Sequence, residues 1–195
     1  MPITLNGTTG VVTPGATVGS ITGILKATSG VVSQAVIGTD YSDLTLATAQ
    51  AASGTAVDFT GIPSWVKRIT VMFNGVSTGS AGPSSNLQIQ IGSGSVTTTG
   101  YTSSAWTSNI NNATSSSGFL LAATNTFSAA YYGNIIISTI GSNVWIESHS
   151  LGGIAGYNSI GGGSISLSGT LDRLRITHVN GTDTFDAGTI NISYE

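Results

Sequence analysis

A period-two alternation of apolar and polar residues, broken by glycine and asparagine turn signals, is the feature that most constrains this chain. Ile69, Val71 and Phe73, for example, are separated by single intervening residues, and such spacing places side chains on one face of an extended strand. The segments expected to be strands are 56–60, 69–73, 87–91, 119–124, 134–139, 143–148, 164–168, 172–179 and 188–194. About nine short strands with no long helix predict an all-β fold, either an antiparallel sandwich or a barrel. Of the two, we expect an antiparallel, jelly-roll-like β-sandwich.

The same alternation predicts which polar side chains face solvent. In the segment 87–91, Gln88 and Gln90 are expected to form the polar face of a half-buried strand. Glu147 and His149 lie two residues apart on another predicted strand, so their side chains share a face and are able to touch. The sequence favours a surface pair over a catalytic pair at this position.

The chain is expected to divide into an extended N-terminal segment, residues 1–50, and a β-sandwich head, residues 51–195. In the first segment, Thr-Gly-Val-Val-Thr at residues 9–13 recurs as Ser-Gly-Val-Val-Ser at residues 29–33. Short repeated units cannot bury an apolar face alone, so their partners are expected on other chains; a flexible linker is the alternative. Segment 44–53 is open between a short helix and a connecting strand. The candidate anchoring residues are Val11, Val12, Ile24, Leu25, Val31, Val32, Val36 and Ile37.

Charge is scarce and unevenly placed. The chain has 5 Lys and Arg and 8 Asp and Glu, or 7% charged residues, against about 25% in an ordinary domain. No Asp, Glu, Lys, Arg or His occurs in residues 69–146. A net charge of −3 without a basic cluster argues against nucleic-acid binding, and no apolar run reaches the roughly 18 residues that membrane insertion by a helix requires.

Motifs for catalysis and metal binding lack their expected context. Residues 75–79 match the G-x-S-x-G nucleophile pattern, but the Ser-Ala-Gly-Pro that follows is unable to start the helix this motif needs. Two histidines without cysteine do not make a usual zinc site. Glycan hydrolysis needs two nearby carboxylates, and apart from Glu147 the acids lie in predicted turns or near the termini. We therefore expect no enzymatic activity, no catalytic residues, no metal and no cofactor.

Aromatic residues beside hydroxyl and amide side chains are the candidate receptor-binding set. Exposed aromatic rings among neutral polar groups are typical of a surface that binds sugars. The competing interpretation places the rings in the core or at a subunit interface, and the sequence favours it because Tyr and Trp are common at interfaces. The candidates are Tyr101, Trp106, Tyr131, Tyr132 and Tyr157.

Three segments resemble bacteriophage tail-fibre proteins. Ile-Leu-Lys-Ala at residues 24–27, followed by Val-Ile-Gly-Thr-Asp-Tyr at 36–41, is similar to short units of fibre stalks. Residues 57–63 and 67–73 resemble the opening of a recurring fibre β domain. Residues 173–177 and 179–188 resemble its close.

The resemblance implies a structural virion fibre on the surface of the phage particle. It implies a homotrimer whose N-terminal segment docks to other virion proteins, of the tail or the capsid, and whose β-sandwich head mediates adhesion to the host cell surface, with a host surface glycan as a candidate receptor. The alternative is a capsid decoration or head-fibre protein, attached to the shell by its N-terminus.

Overall fold

The structure is a computed structural model in which the chain divides into two compact units, Met1–Asp43 and Leu44–Glu195. The residues it describes are 23–29, 31–79, 86–108, 111–122 and 130–195. In the first unit, strands β1 (Leu25–Thr28) and β2 (Val31–Gln34) pair as an antiparallel hairpin.

The described part of the second unit consists of β-strands, with a 3₁₀ turn at Ile154–Gly156. The strands are β3 (Thr45–Leu46), β4 (Gln50–Ala51), β5 (Ala56–Thr60), β6 (Arg68–Thr78), β7 (Leu87–Ser93), β8 (Ser95–Val96), β9 (Thr102–Thr107), β10 (Asn111–Ser115), β11 (Phe119–Ala122), β12 (Tyr131–Gly141), β13 (Val144–Gly153), β14 (Ser159–Ser166), β15 (Arg173–His178) and β16 (Phe185–Tyr194). Among the described residues, no helix is long and apolar enough to cross a membrane.

These strands build two antiparallel sheets with jelly-roll connectivity. One layer runs β3 and β4, β16, β6, β12, and the other runs β5, β15, β7, β11. Going along the chain, β4, β6, β12 and β16 belong to the first layer, whereas β5, β7, β11 and β15 belong to the second. This exchange between four strands of one layer and four strands of the other is the arrangement of a jelly roll. The predicted all-β, jelly-roll-like sandwich is confirmed.

Four further strands extend the first layer past β12. Their order is β13, β14, β9 and β10, so the complete sheet has nine strands. We call these four strands the extension. Strand β11 connects the extension to the second layer: its backbone pairs with β7, the Leu120 amide donates to Ser103 Oγ at 2.8 Å, and Ser159 Oγ donates to the Leu121 carbonyl at 2.6 Å.

The core lies between the inward faces of the two sheets. Val71 stands opposite Ile135 and Ile192 on the neighbouring strands of the first layer, and Ile89 stands opposite Ile176 in the second. All five side chains are fully buried. Each such side chain contributes about 1.5–3 kcal/mol when it leaves water, so this core stabilises the head without a contribution from the first unit.

Each of the nine predicted segments contains an observed strand, and several of these strands are longer than expected. Residues 123 and 124 of the segment 119–124 lie outside the described residues, and residues 167 and 168 follow the end of β14. Segment 44–53 forms β3 and β4, which pair with β16, so the strand interpretation is confirmed and the second unit begins at Leu44 rather than after residue 50. The expectation for Gln88 and Gln90 is wrong, because both are buried. Residues near Ser117 cover them: Ser117 Oγ donates to Gln88 Oε1, and Gln90 Nε2 donates to the Ser117 carbonyl.

Candidate functional site

The outer face of the extension carries two rows of side chains on β10, β9 and β14. Residues directly opposite each other on neighbouring strands share a face and lie within contact distance. One row is Asn112, Trp106 and Ile160, and the row beside it is Thr114, Ser104 and Gly162.

These two rows line a concave surface that is open to solvent. One depression of about 760 Å³ lies over Ser104, Thr114 and Gly162. A second, of about 450 Å³, shares those three residues and adds Trp106. We call the surface formed by Ser104, Trp106, Asn112, Thr114, Ile160 and Gly162 the Trp106 trough.

Glycine forms the floor of the trough. Gly162 faces outward and leaves the strand backbone uncovered, whereas Gly161 and Gly163 face inward, opposite His149 and Glu147. A Cβ atom added to Gly161 would lie 2.5 Å from both the Ser104 carbonyl oxygen and His149 Cε1. Close packing therefore excludes side chains from the inner face of β14 at Gly161 and Gly163, while Gly162 leaves the floor of the trough without a side chain on the outer face.

Gly161→Ala is expected to lower the free energy of unfolding by about 1–3 kcal/mol, because the new methyl group overpacks the interior. Gly162→Ala is the matched control: its Cβ would lie 3.0 Å from the Glu147 carbonyl oxygen and would project outward. We expect that change to cost less than about 1 kcal/mol, since alanine is otherwise the better strand residue. Urea unfolding of both variants measures the difference, and equal losses would contradict this description of the floor.

The structure separates the five aromatic candidates instead of bringing them together. Trp106 and Tyr132 are 47% and 44% exposed, but three strand spacings, about 14 Å, separate their strands. Tyr157 is half-buried and packs against the core.

Tyr101 and Tyr131 are core residues, so neither ring is available to a receptor. The Tyr101 hydroxyl donates to the carbonyls of Ile91 and Thr97. Burial raises the pKa of each of these tyrosines to about 12. Of the aromatic candidates, Trp106 is the one that presents an exposed ring in the trough, whereas the buried Tyr101 only borders the first depression. The other trough residues, Ser104, Asn112, Thr114, Ile160 and Gly162, were not predicted as site residues.

Glu147 and His149 form a buried pair, and the expectation of a surface pair is wrong. His149 Nδ1 lies 2.7 Å from Glu147 Oε1, and neither side chain is exposed to solvent. The face of β13 that carries them also carries Trp145 and Leu151, both buried. These larger apolar side chains decide which face points inward, and the facing Gly161 and Gly163 leave space for the polar pair.

The second polar atom of each partner has no hydrogen bond: Glu147 Oε2 and His149 Nε2 are both buried and unpaired. Burial raises the pKa of the Glu147 carboxyl above its usual range, and the hydrogen bond with His149 offsets part of that rise. Solvent does not reach either side chain.

The other sequence motif considered for catalysis is the G-x-S-x-G match at residues 75–79. Ser77, the central residue of the G-x-S-x-G match, lies within strand β6 and donates a hydrogen bond to Asp186. Among the described residues, no group of three or more His, Asp or Glu side chains is placed to hold a metal ion.

The N-terminal hairpin exposes most of its apolar side chains. Ile24, Leu25, Val31, Val32 and Val36 are between 47% and 66% exposed, and Ile37 is half-buried. Among the described residues of this unit, Ala35 is the only buried apolar one. The candidates Val11 and Val12 lie outside the described residues.

Two residues of the fibre-like segment hold the hairpin to the turn that follows it. Lys26 Nζ lies 2.8 Å from Asp40 Oδ2, and the Val36 amide donates to the same carboxylate at 2.8 Å. The hydrogen bond from Lys26 is the main cause of the lowered pKa of Asp40. These contacts fix the backbone while leaving the apolar side chains uncovered.

Comparison with known proteins gives no match to this chain, whether among protein-family models, curated proteins or solved structures.

Proposed function

We propose that this chain is a non-enzymatic structural subunit of a phage virion fibre, in which the N-terminal segment forms a homotrimer and attaches to other virion proteins while the sandwich head adheres to the host cell surface. The observation that carries the proposal is the contrast between the two units. The head has a complete core, whereas the hairpin leaves its Leu, Ile and Val side chains in water.

A two-stranded hairpin by itself is at best marginally stable in water. Covering each half-exposed Leu, Ile or Val side chain contributes on the order of 1 kcal/mol, and five such side chains lie on this hairpin. Sister chains and virion proteins supply that cover in the proposed assembly. The fibre-like residues Lys26 and Asp40 stabilise the same hairpin, which supports an attachment role for this segment.

The non-enzymatic part of the proposal is supported by the position of the acid–base groups. Glu147 and His149 are enclosed. Two arginines of the fibre-like closing segment are paired with carboxylates on the second layer or beside it, Arg175 with Asp58 at 2.7 Å and Arg173 with Asp172 at 2.8 Å. These groups hold strands and turns in place.

Removing residues 1–43 is expected to convert a trimer into a folded monomer. Light scattering should give the mass of three chains for the full-length protein and of one chain for the truncated protein, with an unchanged β-sheet circular dichroism spectrum for the head. A single full-length variant, Val31→Asp, should also be monomeric because a charge replaces an apolar contact. Thr28→Asp, on an exposed polar position of the same hairpin, is the matched control and should remain trimeric.

A monomeric full-length protein would overturn the proposed assembly, and a truncated chain that fails to fold would overturn the division of roles between hairpin and head. Cross-linking from Lys26 in intact particles, followed by mass spectrometry, then identifies the virion proteins that the segment contacts.

A further inference from the structure

The Trp106 trough combines an aromatic surface with unused hydrogen-bonding groups. Trp106 is 47% exposed and lies beside Ile160. The side chains of Ser104, Asn112 and Thr114 make no hydrogen bond within the described part of the chain. By contrast, the inward-facing hydroxyls of Ser103 and Ser159 are bonded to β11, so Ser104, Asn112 and Thr114 on the trough side keep their hydrogen-bonding groups available to a ligand.

The charge of the trough restricts what it is able to bind. None of its six residues is ionisable, and no Asp, Glu, Lys, Arg or His occurs in residues 69–146 or on β14. His149 also borders the second depression, but its side chain is closed to solvent and lies against Glu147. A phosphate, sulfate or carboxylate entering the trough would lose water without gaining an opposite charge, which is unfavourable. A purely apolar ligand would instead leave the amide and hydroxyl groups without partners. The trough therefore suits a ligand that is uncharged but rich in hydrogen-bonding groups.

The dimensions of the trough suit an elongated ligand. The outward residues of β9 run from Thr102 to Trp106, about 13 Å along the strand at roughly 3.3 Å per residue. The three strands are together about 10 Å across, and the glycine floor leaves the space above Gly162 open.

We propose that the Trp106 trough binds an uncharged oligosaccharide, with the apolar face of one sugar ring stacked on the Trp106 indole and its hydroxyl groups hydrogen-bonded to Ser104, Asn112 and Thr114. Sugar rings present a C–H face and a rim of hydroxyls, which match an aromatic surface beside neutral polar side chains. This inference rests on the proposed role of the head in host adhesion and assigns the receptor chemistry to one surface.

The test is saturation-transfer NMR and calorimetry on the full-length protein, with trisaccharides of glucose, galactose, mannose and N-acetylglucosamine as neutral probes, and sialylated and sulfated trisaccharides as charged probes. At least one neutral probe should bind, and the charged probes should not. Trp106→Ala should weaken binding by roughly tenfold or more, since a stacked aromatic contact is worth about that factor. Asn112→Leu should weaken it as well, because it removes hydrogen bonds and keeps the bulk.

Tyr132→Ala is the matched control, because Tyr132 is a similarly exposed aromatic residue on the same sheet but outside the trough. It should leave glycan binding unchanged. Binding that survives Trp106→Ala, or that is lost equally in Tyr132→Ala, would overturn the site. So would the absence of binding to every neutral probe.

The oligomeric mass of each variant distinguishes a failure of the trough assignment from a failure of the proposed fibre. Trp106→Ala should remain trimeric, so loss of glycan binding in a trimer supports the site. If no neutral probe binds while the full-length chain is trimeric, the trough assignment fails and the fibre proposal stands. If Trp106→Ala becomes monomeric, the trough is an interface between copies, which also overturns the inference.

Discussion

Replacing His149 with leucine is expected to lower the free energy of unfolding by about 3–5 kcal/mol. The substitution removes the ring nitrogen that lies 2.7 Å from Glu147 Oε1 and leaves the Glu147 carboxyl without that partner in a site closed to solvent. A buried charge that has neither water nor a partner is strongly unfavourable. Urea denaturation followed by circular dichroism measures the loss.

Two further variants show whether the loss comes from the unpaired carboxyl. Glu147→Met combined with His149→Leu removes both polar groups at similar volume, and such replacements of buried pairs are commonly neutral or stabilising. We expect the double variant to lie within about 1 kcal/mol of wild type. A double variant as unstable as His149→Leu alone would instead assign the loss to the packing of the imidazole against Gly161.

The loss in His149→Leu is also expected to shrink as the pH falls from neutral. Burial raises the pKa of Glu147 and the hydrogen bond with His149 lowers it, so removing His149 raises the folded-state pKa further. A carboxyl with a raised folded-state pKa stabilises the fold fully below its unfolded value, near 4.5, and this contribution is lost as the pH rises through the raised value. His178, whose pKa is lowered by burial, contributes the opposite slope in both proteins, so its contribution cancels from the difference between them.

The layers of the jelly roll could be predicted because their inward residues are large and apolar. Segments such as 69–73 and 87–91 carry Ile, Val, Leu or Phe at every second position, and the burial of these side chains decides the strand face. The same rule gave the wrong environment for Gln88 and Gln90. Both side chains are buried by Ser117 and its neighbours, about 28 residues away along the chain. The alternation of residues within one strand does not predict such a distant contact.

The extension was harder to predict because its strands pack with small residues. Strands β9 and β10 were not predicted, and the predicted segment 164–168 covers only the end of β14, which begins at Ser159 and includes residues 161–163. Glycine, serine and threonine give little hydrophobic alternation, and glycine normally disfavours strands. The sequence carried only a weak signal for β9: Thr102, Ser104 and Trp106 alternate with other residues and so lie on one face of the strand.

The candidate site could be anticipated in its chemistry but not in its geometry. The scarcity of charged residues, together with aromatic residues beside hydroxyl groups, predicted a surface that makes uncharged contacts with its ligand. Trp106 was among the candidates. Separating Trp106 from Tyr101 and Tyr131 requires knowing which strand faces are covered, and for Tyr101 the cover is Phe119, at a ring-centroid distance of 5.0 Å. That contact joins the residue that precedes β9 to strand β11 of the other sheet, and the pattern within one strand does not report it.

Phe119→Ala is expected to cost about 3–5 kcal/mol of unfolding free energy, the usual range for emptying a buried phenylalanine site. Phe119 is fully buried. Its ring stands edge-on to Tyr101, and its Cδ1 atom lies 3.0 Å from the position that a Cβ on Gly163 would occupy. The ring therefore fills the space that the glycine strand leaves open beneath the trough, and its removal creates a cavity between the second layer and the extension.

The position of the strands that lose stability in Phe119→Ala is a sharper test than the total loss of unfolding free energy. Hydrogen exchange of backbone amides should accelerate most in β9 and β14, which rest on β11, and least in the pairing of β6 with β16, which lies within the jelly-roll core. Tyr132→Ala, an exposed aromatic truncation on the same sheet, should cost about 1 kcal/mol or less and leave exchange in the extension unchanged. Uniform acceleration across both layers in Phe119→Ala would mean that the extension does not depend on this ring and that the trough is held by its backbone pairing alone.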